Sequence, residues 1–153
     1  MNQILDAPVT AVAKMEYAGF WIRFVAAIID GIVLAVANWI IGFALIGGSL
    51  SLQDPFALGG GIAVYYLVSW CIRGAYFSYF ESSDRQATLG KMAVGIKVSD
   101  ENGEKLTFAN ALGRWASAFI SWAILAIGFI MAGFDPKKQA LHDKIAKTVV
   151  YYG

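Results

Sequence analysis

The sequence predicts an all-α membrane protein: a three-helix transmembrane bundle with a small cytoplasmic β-hairpin and an amphipathic C-terminal helix. Three observations predict this fold class. Hydrophobic residues make up 58% of the 153 residues and charged residues only 15%, whereas soluble domains are usually about a quarter charged. Three apolar stretches reach the ~20 residues that a helix needs to cross a bilayer. The polar connection before the third stretch alternates apolar and polar residues around a turn signal.

The first 19 residues are predicted to be a cytoplasmic N-terminal segment, followed by one membrane domain over residues 20–153. The segment mixes Asp6, Lys14 and Glu16 with scattered apolar residues. It lacks the basic start and continuous apolar run of a cleavable signal peptide. The first apolar stretch is therefore expected to stay in the protein as an anchor.

Three membrane segments are predicted over residues 20–46, 57–80 and 115–134. The short first connection carries one acidic residue and no Lys or Arg. The long second connection, Glu81 to Gly113, carries four basic residues: Arg85, Lys91, Lys97 and Lys105. Because connections rich in Lys and Arg stay in the cytoplasm, the second connection and the N-terminus are placed inside. A multi-pass protein of the plasma membrane is expected.

The side on which the C-terminal tail lies is in conflict. Residues 135–153 hold four lysines, and a spanning third segment would place them outside, against the same charge rule. The 20 uncharged residues of 115–134 favour spanning, whereas the lysines favour a re-entrant segment with the tail inside. We expect the segment to span.

A β-hairpin is predicted over residues 94–108, because apolar residues alternate on both sides of Asn102-Gly103, a strong hairpin turn signal. The terminal TVVYY is a further candidate strand. It can pair with the hairpin only if the tail is inside, so such pairing would favour re-entry. The preceding KKQALHDKIAK is interpreted as a short surface helix.

The charges in the membrane segments need partners, since each costs roughly 2.5–3.5 kcal/mol at membrane depth. Arg23 lies near the inner end of the first segment and can extend to the headgroups. Asp30 lies ~10 Å deeper at 1.5 Å per residue. Arg73 precedes the end of the second segment by the same seven residues. We therefore predict an interhelical ion pair between Asp30 and Arg73, which either fixes the helices or forms an ion or proton site.

The secondary candidates are polar or charged residues near these positions. Asn38 continues the face of Asp30, Arg114 begins a polar stripe, and His142 is the only histidine, structural or a proton relay. Glu81 and Asp84 lie where the second segment ends, in a solvated acidic turn or a cation site, of which the turn is favoured.

Other classes of chemistry find no support in the sequence. No catalytic triad, metal-ligand or nucleotide-binding pattern is present, so neither an enzyme nor a metal or cofactor is expected. A net charge of +1 gives no reason to expect nucleic acid as a partner. Cys71 stands alone and is expected to be a buried small hydrophobe.

These residues together resemble the RDD family of bacterial membrane proteins. The family is named for an arginine and an aspartate in its first helix and an aspartate near the C-terminus. Here these are Arg23 and Asp30 in GFWIRFVAAIID, and Asp143 in QALHDKIAKTVV. QATLGKMAVGIKVSDENGEKLTFANALGRW is similar to the family's connecting region. The resemblance covers about residues 17–150 and implies a bacterial inner membrane.

The resemblance leaves two functions open, because members are mostly of unknown function. Transport has been proposed, with sodium/proton antiport attributed to at least one member, and a eukaryotic relative is similar to an assembly factor. One expectation is therefore exchange of a small cation or proton through a homo-oligomer, with Asp30 titrating beside Arg23, Arg73 and Asp143. The alternative is a non-catalytic scaffold or assembly module in which the charges serve structure only. We favour transport slightly.

Overall fold

A computed structural model of the protein describes residues 16–47, 55–123 and 130–153. The elements are α1 (Phe20–Gly47), α2 (Pro55–Ser82), α3 (Leu89–Ala93), β1 (Ile96–Asp100), α4 (Phe108–Ala123), a 3₁₀ helix (Met131–Gly133), α5 (Leu141–Ala146) and β2 (Thr148–Tyr152). The described part of the chain is thus mostly helical with a small two-stranded sheet. The predicted first connection lies largely outside the described residues, as does the middle of segment 115–134.

The two long helices run antiparallel and meet along one face of each. The Tyr76 hydroxyl reaches the Asp30 carboxylate at 2.7 Å, and a Cβ on Gly42 would lie 3.3 Å from a ring carbon of Tyr65. Helical spacing between these two contacts places intermediate residues at matched levels. We call this the α1–α2 seam: Asp30, Leu34, Asn38 and Gly42 of α1 opposite Tyr76, Ile72, Ser69 and Tyr65 of α2.

The sheet joins the second connection to the C-terminal tail. β1 and β2 pair antiparallel, with Ile96 opposite Tyr152 and Asp100 opposite Thr148. The chain before α1 extends the sheet on the other side of β2, because the Ala18 N–H donates to the Val150 carbonyl at 2.8 Å. The predicted strand TVVYY is therefore present.

The predicted hairpin over residues 94–108 is wrong in its second strand. The turn forms, with Gly103 at φ +89° and the Asp100 N–H donating to the Glu104 carbonyl at 3.0 Å. The chain then enters α4 instead of a strand. Thr107 is the reason, since its hydroxyl accepts from the Asn110 N–H at 3.2 Å, as an N-cap residue does.

The pairing of β1 with β2 also bears on the third apolar segment. Two hydrogen-bonded strands lie on the same side of any bilayer. A single crossing by residues 115–134 would separate β1 from β2, so the expectation that this segment spans is wrong. The sheet agrees with the alternative that the lysines of the tail favoured. In that alternative the segment is re-entrant and the tail stays on the same side of the membrane as the second connection.

The small core lies under the sheet and the start of α1. It contains a cluster of buried aliphatic residues: Ala18, Ala26, Ile96, Val98, Leu106, Ala111 and Val150. α5 has His142 and Asp143 buried and Ile145 exposed.

The long helices present apolar side chains to their surroundings. Among the described residues, one helix is long and apolar enough to cross a membrane, over Phe20–Ala44, and only 17% of its most apolar stretch is buried. Trp21, Trp39 and Phe43 are each about three-quarters exposed. Such exposure is unlike the core helix of a soluble protein and suits contact with lipid. Cys71 on α2 is exposed as well, so its expected burial was wrong.

Candidate functional site

Five elements meet where the long helices reach the sheet, and each contributes one charged side chain that is largely or fully buried. We call this set the charge network: Arg23 of α1, Glu81 of α2, Lys91 of α3, Arg114 of α4 and Asp143 of α5.

Arg114 is the centre of the charge network. Its Nη1 donates to both carboxylate oxygens of Glu81 at 3.0 Å, and its Nε donates to Asp143 at 3.1 Å. A planar guanidinium suits this double role because its donors point in fixed, divergent directions. Arg114 thereby ties α2 and α5 to α4.

The two ends of the charge network carry the remaining cations. Arg23 pairs with Asp143 and also donates to the Ala18 carbonyl at 2.9 Å and the Lys138 carbonyl at 2.7 Å. Lys91 pairs with Glu81. Each carboxylate therefore has two cationic partners, which is what charges need when they are removed from water.

The protonation states follow from these contacts. Burial alone would raise the pKa of Asp143, but Arg114 and Arg23, with the Ala140 N–H, outweigh it and the pKa is lowered. Burial lowers the pKa of Lys91, against the opposing attraction of Glu81. Asp143 is accordingly ionised at neutral pH and holds its two arginines.

His142 lies against the charge network without adding a charge to it. Its Nδ1 is 3.3 Å from the Ser121 hydroxyl and its Nε2 is 3.4 Å from Asp143. Burial lowers the pKa of His142 to about 4, in spite of the nearby carboxylate. The imidazole is therefore neutral at neutral pH. Its expected position on a surface helix was wrong, because the face of α5 that carries it packs against α4.

Asp30 occupies a separate buried pocket between α1, α2 and α3. Its carboxylate accepts from the Tyr76 hydroxyl at 2.7 Å, the Thr88 hydroxyl at 2.6 Å and the Gly90 N–H at 2.7 Å. The side chain is 1% exposed. Three neutral donors therefore replace water around this charge, in a site closed by the first turn of α3.

The predicted ion pair between Asp30 and Arg73 does not form. Arg73 is exposed on α2, and no ion pair within 4.0 Å joins it to any residue in the described part of the chain. The predicted depth of Arg73 relative to Asp30 was right to about one helical turn, since Tyr76, three residues further along α2, reaches Asp30. The predicted direction of the Arg73 side chain was wrong, because Tyr76 lies on the α1–α2 seam and Arg73 lies beside it.

The remaining candidates Glu81, Asp84 and Asn38 lie in three different environments. Glu81, expected in a solvated turn or a cation site, is instead buried in the charge network, whereas Asp84 is exposed and pairs with Lys105 at 2.8 Å. Asn38 lies two turns beyond Asp30 on the seam.

Three site residues were not predicted from the sequence: Lys91, Thr88 and Tyr76. The first two lie in the TLGK stretch, residues 88–91, within the region that resembles the RDD family.

The chemistry available at these positions is limited by their contacts. The carboxylates of Glu81 and Asp143 are occupied by cations, and that of Asp30 by three donors. No group of three or more His, Cys, Asp or Glu residues suited to a metal occurs in the described ranges. The arrangement therefore holds elements together, with Asp30 the one buried carboxylate that has no cationic partner within 4.0 Å among the described side chains.

The chain is similar in sequence to a known family and to bacterial proteins. The model of the RDD family matches residues 17–147. An uncharacterized protein of Bacillus subtilis, YxaI, is 37% identical over 148 residues, covering 88% of this chain and 97% of that protein. No solved structure matches the chain.

Two further relatives are less similar to this chain. The uncharacterized membrane protein YteJ of Bacillus subtilis is 33% identical, covering 89% of this chain and 81% of its own length. A proline-rich antigen homolog of Mycobacterium tuberculosis is 30% identical over 146 residues, which cover 61% of that protein.

Proposed function

The chain belongs to the RDD family, and from that premise we propose that it is a membrane-embedded assembly module. In this proposal the long helices anchor the protein in a bacterial inner membrane. The sheet, α3 and α5 form a platform at one end of the helices, and this platform binds a partner protein. The observation that carries the proposal is the charge network, in which five elements each supply one charge to a closed set of ion pairs.

The charge network suits a rigid platform better than a carrier. Removing one member of a buried ion pair leaves an uncompensated charge and typically costs 3–5 kcal/mol. Any movement that separates α2, α4 and α5 would break the contacts of Arg114. A platform fixed in this way is pre-organised for binding, which reduces the free energy lost on association.

The α1–α2 seam also supports the assembly module. A working ion site needs a route to Asp30, and the next level of the seam is closed. Leu34, one turn beyond Asp30, is 3% exposed, and helical spacing places Ile72 of α2 at the same level. Large apolar side chains at this level separate Asp30 from the deeper part of the seam.

The platform offers a groove that a segment of a partner protein would contact. A groove of about 540 Å³ lies between the turn after β1, the first turns of α4 and the end of α5. Its lining combines the charged Asp100, Glu101 and Lys147 and the polar Asn102 and Asn110 with the exposed side chain of Ile145. Protein interfaces usually combine apolar and polar groups in this manner. The basic second connection favours placing this groove in the cytoplasm.

A second candidate function is exchange of a proton or small cation at Asp30, in a homo-oligomer that encloses the path. One observation favours it: Asp30 is bonded by neutral donors only. A carboxylate without a fixed counter-ion can take up a proton or cation without first breaking an ion pair.

One experiment separates the two functions. The protein is reconstituted in liposomes with an internal pH-sensitive dye and exposed to pH and sodium jumps, together with Asp30→Asn and the matched control Asp84→Asn. The assembly module predicts no sodium-coupled proton movement in the wild type and a lower unfolding temperature for Asp30→Asn alone. Movement in the wild type that Asp30→Asn abolishes, in a variant that still folds, would overturn the assembly module and support exchange.

A further inference from the structure

The α1–α2 seam contains a second polar level, distinct from Asp30 and from the charge network. Helical spacing between the Tyr76–Asp30 and Gly42–Tyr65 contacts places Asn38 of α1 and Ser69 of α2 at the same level of the seam. The Asn38 Oδ1 and the Ser69 Oγ are both enclosed, and neither has a hydrogen-bond partner among the described residues. Two enclosed, unpartnered oxygens from different helices therefore lie at the same level of the seam.

Apolar contacts close this level on both sides along the seam. Toward Asp30, Leu34 is 3% exposed. Away from Asp30, the ring of Tyr65 lies so close to Gly42 that an added Cβ would be 3.3 Å from it. Asn38 is half-buried as a residue, but its Oδ1 lies in the enclosed part. Packed side chains thus bound this level of the seam on both sides along the helices.

A buried oxygen without a hydrogen bond costs free energy, so a ligand that donates to both oxygens would stabilise this level. The ligand must be small and neutral. No charged residue of the seam lies at this level, and the nearest seam carboxylate, Asp30, is ~12 Å away along α1 at 1.5 Å per residue. A desolvated cation would therefore find no counter-charge there.

We propose that the Asn38 Oδ1 and the Ser69 Oγ together bind one water molecule between α1 and α2. The water donates one hydrogen to each oxygen, and this bridge fixes the register of the two helices at a level that the charge network does not reach. The inference is independent of the proposed function, because it holds for either an assembly module or an exchanger.

The test is water-edited solid-state NMR of the labelled full chain in lipid bilayers. Magnetisation is transferred from water protons to the protein and read at the Asn38 side-chain amide, with Leu34 and Gly42 as internal references. We expect transfer to Asn38 several times stronger than to either reference, and its loss in Ser69→Ala. Transfer no stronger than at Leu34, or unchanged in Ser69→Ala, would overturn the proposal.

Two further measurements exclude other reasons for a signal. The spectra are repeated with choline in place of sodium, and a signal that requires sodium would overturn the proposal in favour of a cation. Ser82→Ala is the matched control for stability, because the Ser82 hydroxyl bonds only to carbonyls of its own helix. We expect Ser69→Ala to lower the unfolding temperature more than Ser82→Ala does. A higher unfolding temperature in Ser69→Ala would show an empty site and overturn the proposal.

Discussion

Gly90 determines how closely α3 approaches α1, because its missing side chain lets its N–H reach Asp30. A Cβ at this position would lie 2.2 Å from the Ala26 carbonyl oxygen and 2.9 Å from an Asp30 carboxylate oxygen. We expect Gly90→Ala to push α3 away from α1, break the bond to Asp30 and lower the free energy of unfolding by about 3 kcal/mol or more. Denaturant titration in detergent measures this change.

Gly113 provides the matched control for Gly90→Ala. It lies within α4, is exposed, and would place an added Cβ against nothing within 4 Å. Gly113→Ala should therefore raise the free energy of unfolding by about 0.5–1 kcal/mol, as expected for alanine in place of glycine inside a helix. Equal effects of the two substitutions would contradict the close approach of α3 to α1.

His142 predicts a specific dependence of stability on pH. Its pKa is about 4 in the folded protein and about 6.5 in an unfolded chain. Between these values the unfolded state binds a proton that the folded state does not, so stability falls as pH falls from 6.5 toward 4. Linkage gives a loss of about 2 kcal/mol between pH 7 and pH 5. Denaturant titrations at a series of pH values measure it.

Because His142 is the only histidine in the sequence, a fall in stability between pH 7 and pH 5 can be assigned to it. His142→Gln keeps a polar side chain of similar size and should flatten the stability profile between pH 7 and pH 5. Asp143, whose pKa is lowered, contributes its own loss only at more acidic pH, below about 3.9. A profile for His142→Gln that still falls by as much as the wild type between pH 7 and pH 5 would exclude His142 as the cause.

At the scale of elements, Arg114 decides whether α2, α4 and α5 stay together. Arg114→Gln leaves Glu81 and Asp143 buried with fewer counter-charges, and we expect it to lower the free energy of unfolding by about 3–5 kcal/mol. Arg114→Lys should lose much of the same stability, since one ammonium group cannot reproduce bonds to both carboxylates. Both variants are compared with the wild type by denaturant titration.

The exposed pair of Lys105 and Asp84 is the control for Arg114. Its side chains are 50% and 97% exposed, and such surface pairs contribute little to stability because water and salt screen them. Lys105→Gln should therefore change stability little. If Arg114→Gln were as mild as Lys105→Gln, the charge network would not hold these elements together.

The elements also show what the sequence could and could not predict. Arg23 and Arg114 were candidates because of their positions at the ends of apolar segments, and Asp143 because of the resemblance to the RDD family; the structure joins all three. Asp30 was a candidate because a charge in apolar surroundings needs a partner, but two of its three partners come from the start of α3, which folds back onto α1 through long-range contacts. Depth along a helix follows from residue counts, whereas rotation about its axis depends on packing. For that reason Arg73 was predicted where Tyr76 lies.

At the scale of the whole molecule, the position of the tail is the strongest correction to the sequence reasoning. Length and composition favoured a third crossing by residues 115–134, and these local properties say nothing about strand pairing. The sheet depends on a contact between residues about 50 positions apart, from β1 to β2. Non-local pairing of this kind decides topology, and apolar length does not reveal it.

This topology predicts that the turn after β1 and the end of α5 are accessible from the same side of the membrane. With Cys71 replaced by alanine, single cysteines at Asn102 and Ile145, both exposed and both lining the groove, should react together with a membrane-impermeant maleimide. They should do so only in inverted vesicles if the platform is cytoplasmic. Labelling at Asn102 from one side and at Ile145 from the other would mean that the chain crosses the bilayer between them, and the β1–β2 pair could not exist in the membrane. Labelling of both from the outside would keep the sheet and reverse the orientation, because the platform would then lie against the charge rule.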